Sequence, residues 1–533
     1  MKSTKKIYPI FYNFIAILFG VMMAGILFYN FIAILFGVMM AGILFFNLFV
    51  ANRREFPCKK KFLFSNIKLL IIGIVVFAIL VVIYNKFIKK YVDKLTKKQC
   101  NILLLIYFFV TFILQIYIIN KIFFLSGWDV AQLRVATDQL MEGIKLNQGN
   151  SFNTYLQIYP NNLFLLFIFV IISKIAYICS IDSHLLMSIV SALSVNLSII
   201  MMIKIIGKIS KNKHMCVLFV FISTLFLMFS PWIVIPYSDT YAMFFTTSVL
   251  YIFFNKENLD QYVYIFVLVL ISLIGYKIKP TVIISIIAIA IIEIWSYLFG
   301  NKKLKLDILF KSIIAIVLSV LLFGIINNFS KSFLGYERNI DVEMPMTHFM
   351  MMGMNEKMKG VFLYEDVEYT TSFKGIDNKK TANIKEIKKR LNQYGVNGYL
   401  QLLIDKSLIN YDDGSFAWGI EGNFYQKTIS ENKSIFLKKM YYNNGEYYKY
   451  FESYLQSIWL LILFMSIFSI FKIRNHELLV INLTIIGITL FLLLFEARAR
   501  YLFLYSPYYL LLFVIGTANI YKKIDSKMKN MRN

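Results

Sequence analysis

The sequence predicts an α-helical polytopic membrane protein, with about 12–13 transmembrane helices and one extracytoplasmic domain of α/β or mixed structure. Three observations carry that expectation. Apolar runs recur along most of the chain, each near the roughly 20 residues needed to cross about 30 Å of hydrocarbon. Of 533 residues, 59% are hydrophobic, and the mean hydropathy is +0.65; a water-soluble protein of that length carries far more polar surface. The formal net charge of +26 comes from Lys and Arg clusters set between the apolar runs. That is the inward charge bias of a membrane protein, with anionic lipid headgroups as partner and no nucleic acid.

Reading back from the C-terminus orders the spans. Tyr501–Tyr521 is followed by Lys522, Lys523, Lys527, Lys529 and Arg532, so the C-terminus is expected in the cytoplasm of a multi-pass cell-membrane protein. Leu478–Phe495 enters from Lys472 and Arg474, and Tyr454–Phe471 precedes it, which leaves Ser330–Phe451 outside. Upstream, Ile308–Ile326 follows Lys302, Lys303 and Lys305, while Thr281–Leu298, Val263–Tyr276 and Thr240–Phe254 alternate. Met215–Ile235 rises from the cluster Lys204, Lys208, Lys211 and Lys213, to which Leu185–Ile203 descends. The run Leu163–Ile178 has no place as a crossing in that alternation. It is expected as a half-embedded helix along the outer leaflet; the alternative is that the charge rule fails there. Leu103–Phe123 and Ile67–Tyr84 complete the set.

Four regions result: N-terminal anchor helices over residues 1–100, a membrane core over 101–327, an outer domain over 328–453, and C-terminal helices over 454–533. The core includes a first outer loop, 124–162, and the half-embedded helix, 163–178. The start, Met1-Lys-Ser-Thr-Lys-Lys, resembles a signal peptide, but the apolar stretch behind it is too long and reads as an uncleaved anchor. Within it Phe11–Leu27 recurs letter for letter as Phe28–Leu44, a tandem duplication of the coding segment. As one helix, residues 7–50 would span about 65 Å. As a hairpin turning near Gly25–Asn30, they place either Met1 or the Arg53–Lys61 cluster outside. Cys58, Cys100, Cys179 and Cys216 form no CxxC pair and none lies in the outer segment, so neither disulfides nor thiolate metal sites are expected.

Two acids fall just outside a span on the outer side. Asp129 lies in Gly127-Trp-Asp-Val130 and Asp239 in Pro236-Tyr-Ser-Asp239. A carboxylate partly stripped of water at a membrane edge suits general-base work. The plainer reading is that each caps the helix behind it. Four cations violate the inward bias: Lys277, Lys279, Arg498 and Arg500. A lipid-linked phosphate at the outer leaflet is the anion that would draw them there, with Lys as a point charge and Arg as a two-pronged donor. Snorkelling to headgroups is the alternative for any one of them. Glu293, inside an apolar span, is either functional or a snorkelling helix-end group. In the outer segment Ile384, Ile387, Leu391 and Tyr394 share a helical face. Asp412-Asp-Gly414 reads as a turn, with Trp418 in an aromatic surface behind it. His348 has no second His nearby and reads as a hydrogen-bonding group, not a metal ligand.

At these residues the chain resembles the GT-C superfamily of membrane glycosyltransferases, which includes protein O-mannosyltransferases and the aminoarabinose transferase of lipid A. It is most similar to the Gram-positive, family-39-like branch. The marks are Gly127-Trp-Asp-Val130, Tyr159-Pro-Asn-Asn-Leu163, Ser230-Pro-Trp232 with Tyr237-Ser-Asp239, Lys279-Pro-Thr281, Pro345-Met-Thr-His348 with Met352-Gly353, and Ala499-Arg-Tyr501. The resemblance implies a polyprenyl-phosphate-linked sugar as donor, a cell-envelope glycan, glycolipid or protein as acceptor, and inverting transfer on the outer face. It implies Asp129 as catalytic base and Asp239 as a second acid that positions donor, acceptor or metal. Lys277, Lys279, Arg498 and Arg500 would face the donor phosphate. Trp128, Tyr159, Asn161, Asn162, Tyr237, His348 and Trp418 would contact acceptor or sugar. The second loop carries one acid where the stronger family pattern has a close pair, so no obligatory metal or other cofactor is expected. A lipid-linked polysaccharide polymerase or ligase is the runner-up; a transporter or flippase, or a non-catalytic scaffold, fits fewer features.

The duplicated segment lies upstream of every one of these motifs. Deleting one copy is expected to leave activity largely intact; lost activity at undiminished protein level in the membrane would contradict this.

Overall fold

The structure, a computed structural model, describes residues 28–57, 59–299, 306–422, 425–428, 435–472 and 476–530. Met1, the first repeat copy Phe11–Leu27, Cys58, the Lys302–Lys305 cluster, Arg474 and Arg532 lie outside the described residues. Among the described residues, eleven helices are long and apolar enough to cross a membrane: Phe28–Arg53, Asn66–Lys94, Lys97–Ile122, Pro160–Ile178, Ser183–Ile209, Gln261–Ile278, Pro280–Phe299, Leu306–Leu334, Tyr448–Ile470, Glu477–Leu494 and Ala499–Ser526. A helix apolar on all sides needs an apolar surround. Leu306–Leu334 and Asn66–Lys94 are only 11% and 17% covered by protein over their apolar windows, against 83% for Ala499–Ser526. The C-terminal helix is therefore the hub and the sparsely covered helices form the rim.

Close packing at the hub uses a missing side chain. A Cβ on Gly516 would stand 1.9 Å from the Met465 carbonyl oxygen, so only glycine lets these two helix backbones meet. Tyrosines add buried cross-links: Tyr508 donates to the Thr246 carbonyl (2.8 Å) and Tyr505 to the Thr281 carbonyl (2.7 Å).

The expected span Met215–Ile235 is not one straight helix. It runs as an α-helix over Lys213–Ser223, widens through a π-turn over Thr224–Met228, and resumes as a 3-10 turn over Pro231–Val234. Proline, which lacks an N–H and restricts the residue before it, makes the break. The following helix, Ser238–Phe254, then starts at Asp239's level.

The helix Leu163–Ile178 packs against the helix Trp128–Met141 and against Ser183–Ile209. Phe169 meets Tyr241 (5.8 Å between ring centroids), and the Lys174 ammonium lies 4.5 Å from the centre of the Phe333 ring. Its last turn leads directly into Ser183–Ile209, where Ser188 donates to the Val234 carbonyl (2.7 Å).

The segment 328–453 differs from the expected α/β or mixed domain. Its described residues form the helices Met346–Met352, Tyr364–Thr371, Ile376–Tyr411 and Ile435–Tyr441. Its strand Tyr425–Thr428 pairs antiparallel with Phe124–Ser126, so the two segments share one ribbon. The long helix contains no proline. Its irregularity is a kink at Gly395, whose φ of 56° suits glycine.

This lobe is locked to the membrane helices by a buried polar knot. Asp412 Oδ1 accepts from Asn66 Nδ2 (2.6 Å) and Gln456 Nε2 (3.0 Å), while Gln456 Oε1 accepts from the Gly414 N–H (2.8 Å). Asp413 Oδ1 and Oδ2 accept from the Ser415 and Ala417 N–H groups (2.8 and 2.7 Å), the expected Asx-type turn. Burial pushes the Asp412 carboxyl up to about 8, from an ordinary 3.8. Because the folded chain holds this proton more tightly than the unfolded one, the contribution is whole below about pH 4 and is lost as pH rises to about 8. Asp412→Asn is expected to flatten the fall in melting temperature across that window in detergent; an unchanged slope would contradict it.

Candidate functional site

Five chain segments converge at one end of the helix Ser238–Phe254. The first is the stretch Phe124–Met141. Gly127 precedes Trp128, which holds a left-handed φ of 46°, a conformation bulky side chains rarely adopt. Asp129 follows in the first turn of Trp128–Met141, half-buried, and accepts from the Tyr237 hydroxyl (3.0 Å). Burial, then Asp129, pushes the Tyr237 hydroxyl well above its ordinary value, which keeps it protonated as a donor.

Asp239 is 1% exposed. Its side chain does not cap its helix; Oδ1 pairs with the Lys279 ammonium, and Oδ2 lies 3.5 Å from Arg500 Nε. Lys279 occupies the extended residue between Gln261–Ile278 and the turn begun by Pro280. Burial lowers the affinity of Lys279 for its proton, and Asp239 opposes that. The Lys279 ammonium also lies over the Tyr501 ring (4.1 Å).

Arg500, on the 3-10 turn Ala499–Tyr505, is the centre of the cluster. Its guanidinium carbon is 4.3 Å from the Trp128 ring centre and 5.1 Å from that of Tyr237, so cation–π contact joins that first stretch to the C-terminal segment. Nε lies 3.1 Å from Glu421 Oε2. Arg498 spans Glu421 (3.0 Å) and Glu496 (2.7 Å), and the Tyr501 hydroxyl donates to Glu496 (3.0 Å). Burial alone raises the Glu421 carboxyl, but Arg498 and Arg500 outweigh it and hold the group below the usual range. Four buried atoms of Arg500, Asp239 and Trp128 make no hydrogen bond: Arg500 Nε and Nη1, Asp239 Oδ2 and Trp128 Nε1.

The stretch Tyr155–Asn162 adds a polar flank. Asn162 Nδ2 donates to the Tyr155 hydroxyl (2.8 Å), and Asn161 Nδ2 to Asn162 Oδ1 (3.3 Å). Tyr155 and Tyr159 pack ring to ring (5.4 Å). Burial raises the Tyr159 hydroxyl to about 12, with Asp129 and Glu496 adding to the effect.

Asp129, Asp239, Lys279, Arg498, Arg500, Trp128, Tyr159, Asn161, Asn162 and Tyr237 thus belong to one neighbourhood. Three other expected residues do not serve as expected. Lys277 points elsewhere, among Lys331, Glu343 and Arg338, because it sits in the last turn of the helix Gln261–Ile278 whereas Lys279 lies on the extended residue behind it. Trp418 is fully buried, donates to the Tyr441 carbonyl (2.7 Å) and packs on Trp232 (5.4 Å), so it offers no face to a sugar. His348 is also fully buried, with Nδ1 bonded to Thr370 (2.8 Å); burial lowers it to about 4, so it is a neutral packing group. Glu293 pairs with Lys256 (2.7 Å), an ordinary helix-end ion pair. Among the described residues no three His, Cys, Asp or Glu side chains gather as a metal-holding group.

Sequence reasoning missed Glu421, Glu496 and Tyr155, and gave Tyr501, quoted in Ala499-Arg-Tyr501, no role. Glu496 carried a signal: it alternates with Arg498 and Arg500 in Glu496-Ala-Arg-Ala-Arg500, and a buried cation needs a counter-charge. Glu421 had none, since its partners are remote in sequence.

The family model described as a conserved hypothetical integral membrane protein matches residues 19–520, and the chain belongs to that family. No curated protein and no solved structure matches it.

The two acids differ in what they hold. Asp239→Asn leaves Lys279 and Arg500 buried with their counter-charge reduced, and is expected to cost about 3–5 kcal/mol. Asp129→Asn disturbs one half-buried hydrogen bond and should cost about 1 kcal/mol. Melting in detergent measures both; equal losses would contradict the difference.

Proposed function

We propose that this chain is a GT-C-type membrane glycosyltransferase, moving a sugar from a polyprenyl-phosphate carrier to a cell-envelope acceptor at the outer face of the membrane. The observation that carries the reading is the setting of Arg500. Its guanidinium is buried against the Trp128 and Tyr237 rings, and Tyr237 in turn donates to Asp129, while Nη1 makes no hydrogen bond. A buried donor left unsatisfied costs about 1–3 kcal/mol, and a phosphate oxygen is the acceptor a guanidinium edge suits best.

Charge placement supports the outer location. Lys208 donates to the carbonyl of Phe254, the last residue of the helix whose first turn bears Asp239. That helix has 17 residues, so the basic cluster and the site stand about 25 Å apart along it. With Lys204–Lys213 on the cytoplasmic side, the Asp129 end faces outward.

In this reading Asp129 takes the proton of an acceptor hydroxyl. The acceptor oxygen attacks the anomeric carbon from the side opposite the phosphate, forming the new glycosidic bond with inversion. The bond from the anomeric carbon to the phosphate oxygen breaks, and its electron pair leaves with the lipid phosphate. Arg500 neutralises that developing charge. Tyr237 aims the Asp129 carboxylate, and Asp239 holds Arg500 and Lys279 in place.

The test is transfer of labelled sugar from a polyprenyl-phosphate donor in membranes holding wild type or Asp129→Asn at equal abundance. The variant is expected to lose at least about 100-fold in rate. Undiminished transfer would remove Asp129 as base, and lost transbilayer movement of the carrier with intact transfer would favour a flippase.

A further inference from the structure

Between the helix ending at Leu494 and the turn beginning at Ala499, the chain is neither helix nor strand. This short stretch carries Glu496 and Arg498 and leads into Arg500. Its backbone therefore needs hydrogen-bond partners from elsewhere in the fold.

The outer lobe supplies them. Lys406, on the long helix Ile376–Tyr411, is fully buried, and its amine donates to the carbonyls of Phe495 (2.6 Å) and Gly353 (2.7 Å). The Ala497 N–H donates to the Gly360 carbonyl (2.8 Å). Both glycines are required by the approach. A Cβ at Gly353 would stand 2.5 Å from the Phe495 carbonyl group. Gly360 has a φ of 81°, and a Cβ there would stand 2.6 Å from the Gly353 carbonyl oxygen.

We propose that Lys406 is a positioning residue: by holding the Phe495 carbonyl against the Gly353–Gly360 loop, it sets where Arg498 and Arg500 enter the site. No carboxylate pairs directly with this amine among the described residues, unlike Lys279 on Asp239. Its chemistry matches its partners. A neutral amine brings two N–H donors and meets two carbonyls. Burial moves the group to about 7, with Glu496 opposing, so the two-donor form is well populated near neutrality. A helix in the lobe thus governs a catalytic segment it does not otherwise join.

The activity arm of the test rests on the glycosyltransferase reading; the exchange arm does not. In the full chain in detergent, hydrogen exchange at the wild-type Ala497 amide is expected to be as slow as in the interior of the helix His476–Leu494. Exchange at the rate of an open loop overturns the clamp, with no variant needed. Lys406→Met, of similar length but without donors, is expected to speed exchange across residues 495–500 at least about tenfold; unchanged exchange overturns the proposal. Should that variant fail to fold, the wild-type arm decides. For activity, Lys406→Met and Arg500→Gln are combined in a double-mutant cycle of sugar transfer. The double variant is expected to lose no more than Arg500→Gln alone, whereas fully additive losses contradict action through Arg500. Absence of transfer in wild type would defeat the glycosyltransferase reading and leave the exchange result standing.

Discussion

The structure depends on one costly arrangement: Asp239 and Arg500, each under 4% exposed, buried together with Lys279. Charges taken out of water persist only when they are paired and oriented by their surroundings. The pairing here cannot be made within one helix. Asp239 comes from the start of Ser238–Phe254, Lys279 from a kink between two apolar helices, Arg500 from a 3-10 turn, and Glu421 from the lobe. The ion cluster therefore pins together segments that hydrophobic burial alone would leave free to slide, since lipid-facing helices gain little from apolar contact with one another.

The same constraint ties the lobe to the membrane helices. Glu421 and Lys406 both reach the segment Phe495–Arg500, one by charge and the other by a hydrogen bond to the backbone. The short ribbon between Phe124–Ser126 and Tyr425–Thr428 ties the lobe to the loop bearing Asp129. Asp129, the cations and the lobe are thus fixed in one frame.

Much of this was legible in the sequence, for definite reasons. Apolar length announces a membrane helix because the bilayer sets a minimum span. Asp129, Asp239, Lys279, Arg498 and Arg500 stood out because charge at an outer helix end is anomalous. What stayed hidden was pairing. Nothing in Trp418-Gly-Ile-Glu421 says that the glutamate meets Arg498 and Arg500 while the tryptophan turns into the core. The turn around Asp412 was readable from its Asx chemistry, but its burial against Asn66 and Gln456 was not. Lys277 misled because two lysines two residues apart look alike in sequence and face different neighbours in the fold.

The central claim is that the Asp129–Arg500 neighbourhood opens on the extracytoplasmic side. Asn161, exposed on its flank, offers a direct probe. With the four native cysteines replaced, Asn161→Cys should react with a membrane-impermeant maleimide in intact cells. Reaction only after the membrane is permeabilised would place the site on the cytoplasmic side and contradict the account.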